Sequence, residues 1–324
     1  MGDPIQELGI DEAGYAPRLG PLVVTAVSVV RPAETDLYEG LDGVVSRSAR
    51  SRRTAEGMRM LHVGDSKKVY TRSRGLADLE RGVLAFAARA LGRRPATDLD
   101  LARALTGEMM DVDGLPWYEG PAEPLPVEAE ADDLERATAC LASALDGARS
   151  DGPSIRSRLV TARDLNGGVS DERNKADFLC SLVAGLLAEM GRDEGVTKAT
   201  VDRLGGRKDY RPLLQNAWPD AEVATVAAEV ERSSYRVAGS TGARRDVTFA
   251  CRAEDSSLPV ALASMVSKYL RELFMRRLNR WFASHVPGIA PTAGYPVDAA
   301  RFLKDCEAFR GILPVVDENL IRSR

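Results

Sequence analysis

Histidine is nearly absent. His62 and His285 are the only two in 324 residues, and they lie far apart. That argues against a histidine-rich zinc site and against a Ser-His-Asp triad. Cysteine is scarce too. Cys140, Cys180, Cys251 and Cys306 are scattered, with no C-x-x-C pair and no secretory leader, so a cytoplasmic protein with reduced thiols is expected. No apolar run approaches the length that spans a bilayer, so no membrane partner is expected. Neither sign of charge dominates: 44 Lys and Arg against 48 Asp and Glu leave a net charge of -4. Any case for nucleic acid must therefore rest on local patches. What remains for hydrolytic chemistry is carboxylate, and with it bound magnesium or manganese.

The organising stretch is Gly9-Ile10-Asp11-Glu12-Ala13-Gly14, followed by an apolar run from Leu22 to Val30. Residues 5–12 and 21–31 read as two strands joined by a Gly/Pro turn. Neighbours on a strand point to opposite faces, so Asp11 and Glu12 share one site only if the chain bends there. Gly14 and Pro17 supply the means to bend; the alternative is a strand end facing water. The segment 47–74 is basic, with Arg47, Arg50, Arg52, Arg53, Arg59, Lys67, Lys68, Arg72 and Arg74. It reads either as a solvated surface or as a phosphate-contacting patch, in which Ser66 would add a small donor.

Further on, helical periodicity covers 71–91, 133–147 and 170–190. Residues 93–134, rich in Pro, Gly and acids, read as an insertion or peripheral loop whose acids are solvated. A strand from Val196 ends in Asp202, where an α/β sheet places ligands; the alternative is that Asp202 caps the next turn. Strands at 222–227, 233–238 and 246–252 follow, the last running into Ala253-Glu254-Asp255-Ser256. From Pro259 to Phe282 the pattern is one long helix. Its polar stripe of Lys268, Glu272, Arg276 and Arg280 reads as a solvated face. Residues 296–310 look helical again.

Asp11, Glu12, Asp202 and one of Glu254 or Asp255 thus fall at strand ends. Four carboxylates converging without a partner repel one another. Two divalent cations remove that cost and supply phosphodiester hydrolysis, because one activates water while the other stabilises the leaving oxygen.

These blocks resemble a known family. Asp11-Glu12-Ala13-Gly14, then Gly20-Pro21-Leu22-Val23-Val24, then Asp65-Ser66-Lys67-Lys68 are similar to the prokaryotic type 2 ribonucleases H, HII and HIII. Ala253-Glu254-Asp255-Ser256 leading into Ala263-Ser264-Met265-Val266-Ser267-Lys268 matches the later motif, and Gly294-Tyr295-Pro296 a glycine-tyrosine motif. Asn166 and Asn174 resemble the family's middle segment. The resemblance implies a ribonuclease H-like α/β fold, a mixed five-stranded sheet flanked by helices. It implies a catalytic core at 1–255 with an insertion at about 93–160, and a C-terminal helical extension at 256–324 packed on that core. It also implies metal-dependent cleavage of RNA in RNA–DNA hybrids, leaving a 3′-hydroxyl, with Mg2+ or Mn2+ at a two-metal site. Asp11, Glu12, Asp202 and Glu254 would be the catalytic ligands, with Asp255 as neighbour or substitute. Gly14, Tyr15, Ser66, Lys67, Lys68 and Tyr295 would contact substrate. A monomer is expected. The chain departs from the family at Tyr15-Ala16, where HII enzymes have a basic residue and a glycine. It departs again at Thr292-Ala293, where His-Lys is usual. The choice between a single ribonucleotide and a hybrid stretch stays open.

Overall fold

The apolar runs at the start of the chain form β1 (Pro4–Ala13) and β2 (Leu22–Pro32), antiparallel from the Pro4–Pro32 pair to the Ala13–Val23 pair. In this computed structural model the described residues are all except 1–2, 49–52, 55–56, 72, 74, 193, 240–241, 310 and 324. Arg50, Arg52, Arg72 and Arg74 of the basic segment therefore lie outside the described residues. β2 is buried on both faces, and its period-2 alternation divides its residues between two cores. Val23, Val27 and Val29 belong to one, Leu22, Val24 and Ala26 to the other.

Five more strands complete the sheet: β3 (Ser154–Val160), β4 (Val196–Asp202), β5 (Glu222–Ala228), β6 (Arg232–Ala238) and β7 (Arg244–Ala250). Their order is β3-β2-β1-β4-β7-β6-β5. β1, β4 and β7 run parallel as neighbours, and the other pairings are antiparallel. The sheet is mixed and helix-flanked as expected, with seven strands rather than five. β3 was not legible in the sequence because Arg156 and Arg158 interrupt an otherwise short apolar segment. It is a strand because β2 offers it a ladder from Leu22–Val160 to Ser28–Ser154, and Thr25 and Ser157 join their hydroxyls across it at 2.9 Å.

Helices cover both faces. α1 (Ala77–Leu91), α2 (Asp98–Thr106), α3 (Ala131–Gly147) and α5 (Leu258–His285) pack on one side, and α4 (Lys175–Met190) on the other. α5 is capped by the Ser257 hydroxyl and lies across β1 and β2. Its approach is possible only because position 9 is glycine: a Cβ there would stand 2.2 Å from the Val260 nitrogen. No described helix is long and apolar enough to cross a membrane.

Two expectations are corrected. Residues 93–134 are not a solvated periphery, since Leu101, Leu105, Leu115, Trp117, Tyr118 and Leu125 belong to the same core as α5. Their polar neighbours hid this in the sequence, and one of them, Asp98, is itself wholly buried against Arg277 at 2.9 Å. The stripe on α5 is solvated only in part: Arg280 is exposed, but Lys268 and Glu272 are largely covered. Lys268 pairs with Glu272 at 2.7 Å, and Arg276 pairs with Glu123 at 2.8 Å, which ties the helix to that same segment. Arg277 also donates to the carbonyls of Tyr118 and Pro121, so Asp98→Ala strands a charge that water cannot reach. We expect that variant to lose about 3–5 kcal/mol in denaturant titration.

Candidate active site

Strand register decides where the acids go. Ile10 and Val201 are direct partners in the parallel β1–β4 pair, and both side chains lie in the core on the α4 face. Alternation therefore sends the next residues, Asp11 and Asp202, together to the opposite face. β7 lies beside β4, with Asp202 level with Ala250. The three parallel strands thus end along one edge. Beyond Ala250 the chain turns through Arg252, which adopts a left-handed conformation (φ 53°) uncommon for a non-glycine residue. That turn leads into the 3-10 segment Ala253–Asp255 and brings the Ala253 amide to 3.3 Å from the Asp202 carboxylate.

Asp11 is buried, and its carboxylate accepts the Glu12 amide at 2.7 Å. Burial first, then the charges of Glu12 and Asp202, push its carboxyl well above the usual range, against hydrogen bonds from Ser264 and the Glu12 amide. Glu12 is pushed up to about 7 by burial and by Asp202, with Lys67 acting the other way. Asp202 is raised by burial, opposed by the amides of Ala253, Arg203 and Arg252 and by Lys67. Burial also raises Glu254, with Asp202, Asp65 and Asp255 adding to it. Asp11, Glu12 and Asp202 therefore act on one another, Asp202 also acts on Glu254, and Lys67 faces Glu12 and Asp202. Among the described residues, no three Asp, Glu, His or Cys side chains close into a ready-made ion cage.

Asp255 also acts on Glu254 but faces outward. It is exposed and stands 3.7 Å from Lys68, which also reaches Asp65 at 3.5 Å. Ser66 opens the short helix Ser66–Val69, capped by Asp65, and its buried hydroxyl meets Ser264 at 3.0 Å. Gly14 takes a left-handed φ of 89°, and a Cβ there would meet the Pro21 carbonyl at 2.5 Å. Tyr15 stacks under Lys175 at 4.7 Å. Tyr295 is 48% exposed, with the Arg271 guanidinium 5.9 Å from its ring centre. Asn166 holds the Glu318 and Ile321 carbonyls, while Asn174 caps α4.

No family model and no curated protein matches the chain. Solved structures do. The chain is similar in structure to ribonucleases HII and HIII. Archaeoglobus fulgidus RNase HII, from a complex with PCNA, shares 14% identity over 96% of this chain and 93% of its own, with a TM-score of 0.45. Ribonuclease H2 from Pyrococcus horikoshii shares 13% over 96% and 92%, with a TM-score of 0.44. Bst-RNase HIII in complex with Mn2+ shares 12% over 98% and 66%, with a TM-score of 0.38.

Sequence reasoning gave no role to Ser264, which links Asp11 to Ser66, or to the buried Arg271 and Arg322 beside the Gly14 turn. Ser264 sits inside a motif already singled out. Arg322 carries no sequence signal, because nothing periodic surrounds it. Between the two candidates for the fourth acid, the geometry separates their surroundings. Glu254→Gln is expected to depress turnover strongly, whereas Asp255→Asn leaves it within about threefold. Steady-state rates that fall only for Asp255→Asn would move the role to Asp255.

Proposed function

We propose that this protein is a metal-dependent endoribonuclease that hydrolyses the RNA strand of RNA–DNA hybrids and acts in the cytoplasm. The observation that supports this reading is the shared edge of β1, β4 and β7, where Asp11, Glu12 and Asp202 repel one another and Glu254, just beyond β7, feels the charge of Asp202. Their donor set is entirely oxygen, which suits Mg2+ or Mn2+, and their raised protonation marks negative charge that a cation would offset. Asp11, Glu12, Asp202 and Glu254 would hold the ions, which when bound supply an activated water and neutralise the leaving oxygen of a phosphodiester. The protein's own part is positional. The Ala253, Arg203 and Arg252 amides hold Asp202 and Ser264 holds Asp11, while Lys67, which acts on Glu12 and Asp202, and Lys68, which reaches Asp65 and Asp255, would be the phosphate partners. Gly14, Tyr15 and Tyr295 would meet the sugar–phosphate backbone, where the 2′-hydroxyl distinguishes RNA from DNA.

A panel of labelled oligonucleotides tests the reading: an RNA–DNA hybrid, duplex DNA holding one ribonucleotide, duplex RNA and duplex DNA, each with Mg2+ or Mn2+. Cleavage of the RNA strand with 3′-hydroxyl ends is expected for the hybrid. A second reading, a nucleic-acid-binding protein with weak or no nuclease activity, draws on the lack of a ready-made ion cage among the described residues. Tight hybrid binding with no cleavage under either metal would establish it.

A further inference from the structure

Arg322 follows the short helix Asp317–Leu320 and is 2% exposed. Among the described residues its guanidinium meets no carboxylate, and its Nε has no hydrogen-bond partner. Its other nitrogens donate to three carbonyl oxygens of one loop: Gly14, Pro17 at 3.2 Å and Gly20 at 2.5 Å. This loop joins the Asp11-Glu12 end of β1 to β2. The main chain adds to the grip, with the Arg322 amide donating to the Arg18 carbonyl at 2.9 Å and Leu19 bridging to Ile321.

A second segment joins the same junction. The Gly294 carbonyl accepts the amides of Arg18 at 2.8 Å and Leu19 at 3.2 Å, and a Cβ on Gly294 would lie 2.4 Å from the Leu19 carbonyl. Gly294 directly precedes the exposed Tyr295. Arg271 completes the arrangement by donating to the Ala293 carbonyl at 2.8 Å. Burying Arg322 beside Arg271 is costly, and an apolar side chain would fill the same space without that cost. A planar fork of donors does what an apolar chain cannot, which is to fix several carbonyls of one turn at once.

We infer that Arg322 is a positioning residue for substrate: it fixes the Gly14–Gly20 loop and, through Leu19 and Gly294, the placement of the exposed Tyr295 relative to that loop. The inference rests on the nuclease reading for what the loop meets, but not for the clasp itself.

The full-length chain carrying Arg322→Ala or Arg322→Lys tests it. For the hybrid, Arg322→Ala is expected to raise KM about tenfold while kcat changes by less than about threefold, since the acids are untouched. Amide hydrogen exchange across residues 14–20 should quicken while exchange in β4 does not. Millimolar guanidinium ion should restore the KM of Arg322→Ala. Arg322→Lys should stay defective, because a point charge cannot span three carbonyls, and it carries the test if the alanine variant does not fold. Unchanged exchange at 14–20 overturns the inference. So does a loss of melting temperature and kcat together with KM unmoved, which would mark a purely structural prop. Wild-type protein that cleaves nothing overturns the nuclease reading instead, and the exchange measurement still decides the clasp.

Discussion

Asp11→Asn is expected to lower cleavage of the hybrid by about a thousandfold or more while leaving the fold and hybrid affinity intact. The substitution keeps the volume and shape of the side chain and removes only its charge. The Ser264 and Glu12 amide contacts to that position have an acceptor oxygen in either residue. Asp11 is buried and pressed by Glu12 and Asp202, so its charge burdens the metal-free protein. Melting in the presence of a chelator should therefore rise or stay level in the variant. Single-turnover rates measure the first effect and thermal denaturation the second. Wild-type cleavage by Asp11→Asn would remove that residue from the reaction.

The second large effect is an inverted dependence of stability on pH. Glu12 protonates at about 7 in the folded protein, against 4.5 ordinarily, so folding takes up a proton across that interval. Its contribution is complete below the ordinary carboxylate range and is lost as pH rises through about 7. The difference amounts to roughly 3 kcal/mol over the window. Asp11, Asp202 and Glu254, also raised, act in the same direction. Carboxylates such as Asp100, which Arg93 holds down at about 2, act oppositely, but only at more acid pH. Chelated protein should thus melt several degrees lower at pH 8 than at pH 5.5. Added Mg2+ or Mn2+ should reverse that trend, since a cation favours the ionised acids. Glu12→Gln should flatten it. A chelated wild-type protein that is equally stable at both values would show that these acids are not crowded as the structure places them.

That the acids at 11, 12 and 202 stand at or near strand ends was legible because each closes an apolar run with strand periodicity. Glu254 and Asp255 were not separable by that rule, since they adjoin the same strand end. They differ in the fold only by exposure, Glu254 being partly buried and Asp255 exposed on the 3-10 segment that follows the left-handed Arg252, a conformation that no local pattern announces for an arginine. The segment 93–134 misled for a related reason. Its proline and acid content masks Trp117, Tyr118 and the buried leucines at 101, 105, 115 and 125, and whether such residues reach a core depends on what lies opposite them. Opposite them is α5, whose Arg277 takes up the buried Asp98.

Local order of residues determined much of this protein. Alternation fixed the two faces of β1 and β2, and the long apolar periodicity fixed α5. Glycine at 9 and 14 marked where backbones approach and where the chain turns left-handed. Strand neighbourhood lay beyond it. That β1, β4 and β7 lie side by side and parallel, so that residues nearly two hundred positions apart share an edge, depends on crossovers and on packing of both faces. That Arg322 reaches back to the Gly14 loop depends on the same assembly. Periodicity encodes which side of an element is buried. It does not encode which element buries it, and only the folded chain settles that, because many pairings satisfy one pattern and the whole core selects among them.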